Sequence, residues 1–199
     1  MLNDEIEVEK TNLKMLELCQ ECGRVYYKAL IFTCSHCGGK LIEADYRIAE
    51  VVIKLIDLGF KVSWSYLGYH NNLNEQGPGT QICIYFDDKY PASVFGDLPP
   101  EWYLSEYYIQ EEENGQEIGF SALVCECYHD DNVLDDKNMN FDIKVTTSNM
   151  VTWLNDKDPE GNRAFLILSG CRLGGNRVFE RNDEVMSLKE ILDLVSKEV

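Results

Sequence analysis

Cys19-Gln20-Glu21-Cys22-Gly23 and Cys34-Ser35-His36-Cys37-Gly38 are two Cys-x-x-Cys-Gly units separated by the eleven residues 23–33. Each Cys-x-x-Cys turn brings two thiolates within reach of one ion. The glycine that follows can take φ > 0, so that backbone N–H groups fold back toward the sulfurs. The doubled unit is a zinc-ribbon pattern, which makes Cys19, Cys22, Cys34 and Cys37 the expected ligands of one Zn2+. Four thiolates leave no open coordination position, so the expected role is structural. The intervening Val25-Tyr26-Tyr27 and Leu30-Ile31-Phe32 suit a short hairpin that returns the second knuckle to the first. The alternative reading of the same cysteines is a pair of redox dithiols or buried free thiols. His36, inside the second knuckle, reads as an exposed loop residue because four cysteines already complete the set.

Around this motif lie 199 residues with 18 Lys+Arg against 35 Asp+Glu, a formal charge of -17 that excludes an ordinary nucleic-acid binder. A hydrophobic share of 45% with 11% aromatics is enough for a packed core and excludes a disordered acidic tail. The start, Met1-Leu2-Asn3-Asp4-Glu5, lacks the basic region of a signal peptide, and no apolar run is long enough to cross a bilayer, so a cytoplasmic protein without membrane contact is expected. Eight cysteines in a reducing compartment then point away from disulfides. Cys125, Cys127 and His129 would share one face of a strand, either as a second metal site or, the preferred reading, as small core residues at a strand end. Cys83 and Cys171 stand alone and read as structural.

Beyond the ribbon, Asp45 can cap a helix in which Ile48, Val51, Val52, Leu55 and Ile56 recur at helical spacing, with Gly59 to stop it. Phe60, Val62, Trp64 and Tyr66 alternate with polar neighbours as in a half-buried strand, and Ile82, Ile84 and Phe86 form one face of another. Pro99 and Pro100 mark a boundary. Asn114-Gly115 separates the aromatic stretch 102–109 from 118–128 and predicts a long antiparallel hairpin. Residues 130–140 read as a polar loop, 141–145 as a short strand, 146–155 as a short helix and 164–168 as a buried strand. Ser187 and Glu190 form a capping box for a final helix carrying Ile191, Leu192, Leu194 and Val195. The expectation is an α+β protein: a zinc ribbon with an N-terminal extension over 1–41, then a domain over 42–199 whose mostly antiparallel sheet packs a few helices.

The residues Cys34, Cys37, Asp45, Ile48, Ala49, Leu55, Gly59, Phe60, Ser65, Gly68, Ile82, Ile84, Phe86, Leu98, Pro99 and Trp102, within the run 34–102, carry a further pattern. It resembles a family of small, largely uncharacterised phage- and prophage-encoded proteins, in which a Cys-x-x-Cys segment precedes an aspartate-led helix, a Ser-Cys-x-Gly-His strand end and a Leu-Pro-x-x-Trp-like segment. The family's Cys and His fall on Tyr66 and Tyr69 here, so no Cys/His site carries over. The resemblance implies a mobile-element setting and a factor acting on host or rival machinery.

Charge is unevenly spread. Between Lys89 and Lys137 there is no Lys or Arg, against twelve acids: Asp97, Glu101, Glu106, Glu111, Glu112, Glu113, Glu117, Glu126, Asp130, Asp131, Asp135 and Asp136. Such a field speeds encounter with a basic protein and repels nucleic acid. Trp102, Glu106, Tyr107, Tyr108, Glu111, Glu112, Glu113 and Glu117 are accordingly candidate partner-binding residues. The expected partner is a basic protein of the nucleic-acid-binding kind, held by a non-catalytic inhibitor or decoy. The bland reading is a solvated face with aromatics in the core. The competing functional class is a small enzyme or phosphate-ligand protein. Its candidates are the backbone and guanidiniums of Gly170, Arg172, Gly174, Gly175 and Arg177, or the acid–base candidates His70 with Glu75 and His129 with Asp130 and Asp131. No Walker loop, Gly-x-Ser-x-Gly or His-Glu-x-x-His occurs.

Overall fold

The computed structural model describes residues 15–27, 31–70, 73–75, 77–110, 117–128, 136–157, 165–168, 172–173, 177–178 and 185–187. In chain order the elements are β1 (Met15–Cys19), β2 (Val25–Tyr27), β3 (Leu41–Asp45), α1 (Ala49–Asp57), β4 (Val62–His70), a 3-10 turn (Leu73–Glu75), β5 (Gly79–Phe86), α2 (Ala92–Phe95), β6 (Trp102–Gln110), β7 (Glu117–Tyr128), α3 (Asp136–Lys157), β8 (Phe165–Leu168), β9 (Arg172–Leu173), β10 (Arg177–Val178) and β11 (Val185–Ser187). Among the described residues, two larger sheets, predominantly antiparallel, and three α-helices give an α+β architecture with a cysteine cluster in its N-terminal part. The chain divides into two compact units, Met1–Asp57 with Asn162–Val199, and Leu58–Gly161. The boundary drawn at residue 41 from the cysteine pattern therefore falls inside the first unit. The reason is that β3, which starts at Leu41, pairs with β1 along its whole length and continues the same sheet.

In the first unit, Leu16 and Leu18 of β1 are fully buried. They lie opposite Ala44 and Ile42 of β3, the close cross-strand packing that stabilises a sheet. The strand order is β11-β8-β2-β1-β3, with every pair antiparallel except β2 and β8, which run parallel. At the entry to α1, the Asp45 carboxylate accepts the Arg47 backbone N–H at 2.9 Å and pairs with the Arg47 guanidinium at 2.7 Å. An aspartate bonded to the N–H two residues on makes a turn that launches the helix. The expected stripe Ile48, Val51, Val52, Leu55 and Ile56 is buried throughout. Gly59 then takes φ 92, a left-handed value that costs glycine no side-chain clash.

In the second unit the order is β4-β5-β7-β6, all antiparallel. The hairpin expected around Asn114-Gly115 is present as β6 and β7, in register from Trp102↔Cys125 to Gln110↔Glu117; residues 111–116, including Glu111, Glu112 and Glu113, lie outside the described residues. β4 departs from simple alternation. A bulge between Val62 and Trp64 changes the side that faces inward, so Val62 is buried while Trp64 stands 50% exposed. Beside it, Phe60, Phe86, Tyr90 and Phe95 form a ring cluster, with Phe60 stacked on Phe95 at 5.1 Å.

The strand expected over 141–145 is instead part of α3. Met139, Ile143, Thr146, Thr147, Met150 and Leu154 are buried at helical spacing, while Phe141 and Val145, whose β propensity suggested a strand, are exposed. Thr146 and Thr147 satisfy their hydroxyls by donating to the carbonyls of Asp142 and Ile143 one turn back, so burial of these polar residues leaves no orphan donor. The polar 130–140 loop is likewise shortened, because the helix starts at Asp136. The strand expected over 164–168 is present as β8. Ser187 is the last residue of β11, and the helix expected after it lies outside the described residues. No helix among the described residues is long and apolar enough to cross a membrane.

A local stability prediction arises at Pro99-Pro100-Glu101-Trp102. The Trp102 N–H donates to the Pro99 carbonyl at 3.1 Å, and Glu101 sits at φ 69, the turn position that favours glycine. Glu101→Gly is expected to raise stability by about 0.5–1 kcal/mol, measured by urea denaturation. A loss would mean that the Glu101 side chain makes a contact worth more than the backbone relief.

Candidate metal centre

Backbone turns assemble the cysteine cluster. Gly23 N–H donates to the Cys19 carbonyl at 3.0 Å and Gly38 N–H to the Cys34 carbonyl at 2.9 Å, closing the two knuckles alike. Both glycines have positive φ, 64 and 77. Gly23 has a second constraint, since a Cβ there would lie 2.8 Å from the Asp57 carboxylate at the end of α1. Cys34 N–H donates to the Gly39 carbonyl, and Gln20 N–H to that of Lys40, which ties the second knuckle to the first. A Cβ on Gly39 would meet Cys19 Sγ at 3.1 Å, so glycine lets the backbone pass close to the cluster.

The ligand atoms of Cys19, Cys22, Cys34 and Cys37 all lie within 4.8 Å of one another. Cys19 Sγ is 3.4 Å from Cys37 Sγ and Cys22 Sγ 3.6 Å from Cys34 Sγ, and the four are free thiols. Those separations are far beyond the ~2.05 Å of a disulfide. The fully buried Tyr26 places its hydroxyl 3.0 Å from Cys34 Sγ while accepting the Ser35 N–H at 3.1 Å, so its own proton is available to the sulfur. Burial pushes the Cys19 and Cys22 thiols up. Burial also opposes ionisation of Cys34, but the Tyr26 hydroxyl and the Cys37 and His36 backbone N–H groups outweigh it and bring that thiol down to about 6. The donor set therefore fits a thiophilic cation, whose charge offsets the cost of clustering thiolates. His36 is exposed, as expected.

Cys125 and Cys127 share one face of β7, Sγ to Sγ 3.9 Å, with Cys125 fully buried; His129 lies outside the described residues. Among the described residues the N-terminal four are the one group that can hold a metal. Cys83 is buried in the core of the second unit. Trp102 is 5% exposed and donates its indole N–H to the Thr146 carbonyl at 3.2 Å, so its ring is spent inside the unit. Glu106 pairs with Lys89 at 2.8 Å and is not unopposed. Tyr107, Tyr108 and Glu117 lie on the hairpin strands, in register with Phe120, Gly119 and Gln110. Arg172 and Arg177 lie on a two-stranded ribbon, β9 and β10, opposite Val178 and Leu173. Gly170, Gly174 and Gly175 lie outside the described residues. His70 lies with its Nε2 3.5 Å from the Tyr66 hydroxyl.

One cluster was not visible in sequence. The Glu126 carboxylate on β7 accepts Gln81 Nε2 at 2.9 Å and Asn74 Nδ2 at 2.8 Å on one oxygen, and the Tyr128 hydroxyl at 3.0 Å on the other. Tyr103 also donates to it. Asn74 reaches it from a left-handed backbone, φ 48, a conformation asparagine tolerates better than most. Burial disfavours the charge, but these donors outweigh it and hold the carboxyl below its usual range. A depressed folded value means that the stabilisation is present above the ordinary value of about 4.3 and is lost as pH falls through the folded one. Urea midpoints of wild type and Glu126→Gln should therefore differ most near pH 6 and converge toward pH 3. A constant gap would show that the network acts through shape alone.

The chain matches no protein-family model, no curated protein and no solved structure.

Proposed function

We propose that Cys19, Cys22, Cys34 and Cys37 bind one structural Zn2+ as a zinc ribbon. The protein is then a non-catalytic, phage- or prophage-type factor whose acidic surface binds a basic protein as an inhibitor or nucleic-acid-mimicking decoy. The observation that carries the first part is the closure of four sulfurs within 4.8 Å. A tetrahedral zinc with bonds of about 2.3 Å needs sulfurs about 3.8 Å apart, which this spacing brackets. With every position taken by thiolate, zinc supplies a fold clamp and no site for substrate. The Tyr26 hydroxyl at Cys34 is the outer-shell donor that such a thiolate uses.

The binding part is supported by the formal charge of -17 and by the interval between Lys89 and Lys137 with no basic residue. A four-thiolate zinc site adds a further net negative charge to that field. Two measurements test the reading. Elemental analysis of protein purified without added metal should give one zinc per chain, lost in Cys22→Ser. Pull-down from host lysate at low and high salt should recover a basic protein that nucleic acid displaces and that a Glu111→Lys, Glu112→Lys, Glu113→Lys variant no longer holds. Unchanged recovery by that variant would remove the hairpin tip from the interface.

A further inference from the structure

The register of β4, β5, β7 and β6 gathers one face of the second unit's sheet: Trp64 and Tyr66 on β4, Cys83 and Tyr85 on β5, Ala122, Val124, Glu126 and Tyr128 on β7, and Tyr103 on β6. Cys83, Ala122 and Val124 are buried there, with the Tyr66 and Tyr85 rings packed on them. Trp64 stacks on Tyr85 at 5.0 Å with an interplanar angle of 26°, and its other neighbour Tyr66 is tilted at 6.0 Å. A Cβ at Gly68 would overlap the Tyr66 phenol, so the missing side chain lets that ring lie flat along the strand toward His70. The outcome is a pavement of rings whose outer surfaces meet solvent. Trp64 is 50%, Tyr103 43% and Tyr128 38% exposed.

This face carries one formal charge, the Glu126 carboxylate, and no lysine or arginine occupies any of its register positions from 64 to 70, 79 to 85, 103 to 105 or 122 to 128. The groups bonded to that carboxylate, Gln81, Asn74, Tyr128 and Tyr103, are all uncharged. A carboxylate has about four lone-pair sites, and four donors engage them. Glu126 thus offers a field with no vacant acceptor. A compact ammonium, which demands its own acceptors, gains little from such a group. A planar guanidinium is weakly hydrated, spreads its charge and stacks on aromatic faces, so it gains from both the field and the rings.

We propose that this aromatic face binds arginine side chains of an extended basic segment of a partner protein, with Trp64 as the stacking anchor and Glu126 as the source of charge complementarity. The proposal rests on the basic-partner reading above and adds, beside the acidic hairpin tip, a sheet-face site for the partner's arginine side chains.

The test is calorimetric titration of the full-length, zinc-loaded protein with a capped arginine–glycine repeat peptide and its lysine–glycine counterpart. Thermal denaturation checks that each variant is folded. The arginine peptide should bind at least about fivefold tighter than the lysine peptide. Trp64→Ala should weaken it by about tenfold and Glu126→Gln by about fivefold, whereas neutralising the tip with Glu111→Gln, Glu112→Gln and Glu113→Gln should change it less than about threefold. Wild-type affinity in folded Trp64→Ala overturns the proposal. If the tip variant alone loses the peptide, the basic-partner reading survives and the sheet face is excluded. Absence of arginine-peptide binding overturns both. Binding of a neutral oligosaccharide in place of the peptide, lost in Trp64→Ala, would reassign the rings to sugar stacking and overturn the cationic ligand.

Discussion

Chelation of a metal held by the four cysteines is expected to unfold residues 19–40 while leaving the sheet of the second unit intact. The local core explains the size of the effect. It consists of Cys19, Tyr26 and Cys34, with Cys22, Ile31 and Leu41 packed against it, so half of its members are themselves candidate ligands. Phe32, beside the second knuckle, is 94% exposed and contributes nothing to holding it, and the other buried apolar side chains of the segment, Val25 and Tyr27, lie on β2. A four-cysteine zinc site supplies on the order of 10–16 kcal/mol of apparent binding energy, more than this cluster can replace. Hydrogen exchange with and without chelator reads the result directly. Protection should vanish over 19–40, persist across β4, β5, β6 and β7, and return with added zinc. Cys22→Ser should reproduce the chelated pattern, and Cys83→Ser should not. Protection unaffected by chelator would show that the thiols pack without an ion.

The second large effect is expected at Trp102. Its ring is buried and its N–H donates to the Thr146 carbonyl of α3, so Trp102→Ala opens a cavity and removes a tie to that helix. A cost of about 3–5 kcal/mol is expected from the lost ring, measured as the shift in urea midpoint. Trp102→Phe should recover most of it by refilling the volume. A small effect in Trp102→Ala would return this residue to the candidate binding surface. Trp153, by contrast, holds the Asp97 carbonyl at 2.7 Å from a more exposed position and should cost less.

Much of the architecture is legible in the chain because it rests on short-range rules. The two knuckles depend on spacing and on glycines that take positive φ. Helix α1 depends on one stripe, from Ile48 to Ile56, and the β6–β7 hairpin on an Asn-Gly step between two apolar runs. What escaped the sequence depends on partners far away in it. Helix α3 buries Thr146 and Thr147, which look polar until their hydroxyls bond back along the helix, and its exposed Phe141 and Val145 mimic a strand. The bulge at Val62 and Trp64 reverses which β4 residues face solvent, and with it the meaning of Trp64. The candidate metal site was visible for the first reason. The Glu126 network was hidden for the second, since Asn74 lies 52 residues from its partner.

The parallel pairing of β2 with β8 carries a kinetic consequence. Val25 lies opposite Leu166, while everything from Leu58 to Gly161 belongs to the other unit. During synthesis the ribosome releases the cysteine segment first, but the sheet that flanks it stays incomplete until residues 165–168 emerge. The intervening unit is all produced before then and can finish folding alone, which shortens the loop that must be closed at the end. The cysteine-bearing strands are thus made before the intervening unit and completed after it, and a high contact order marks that final step as the slow one.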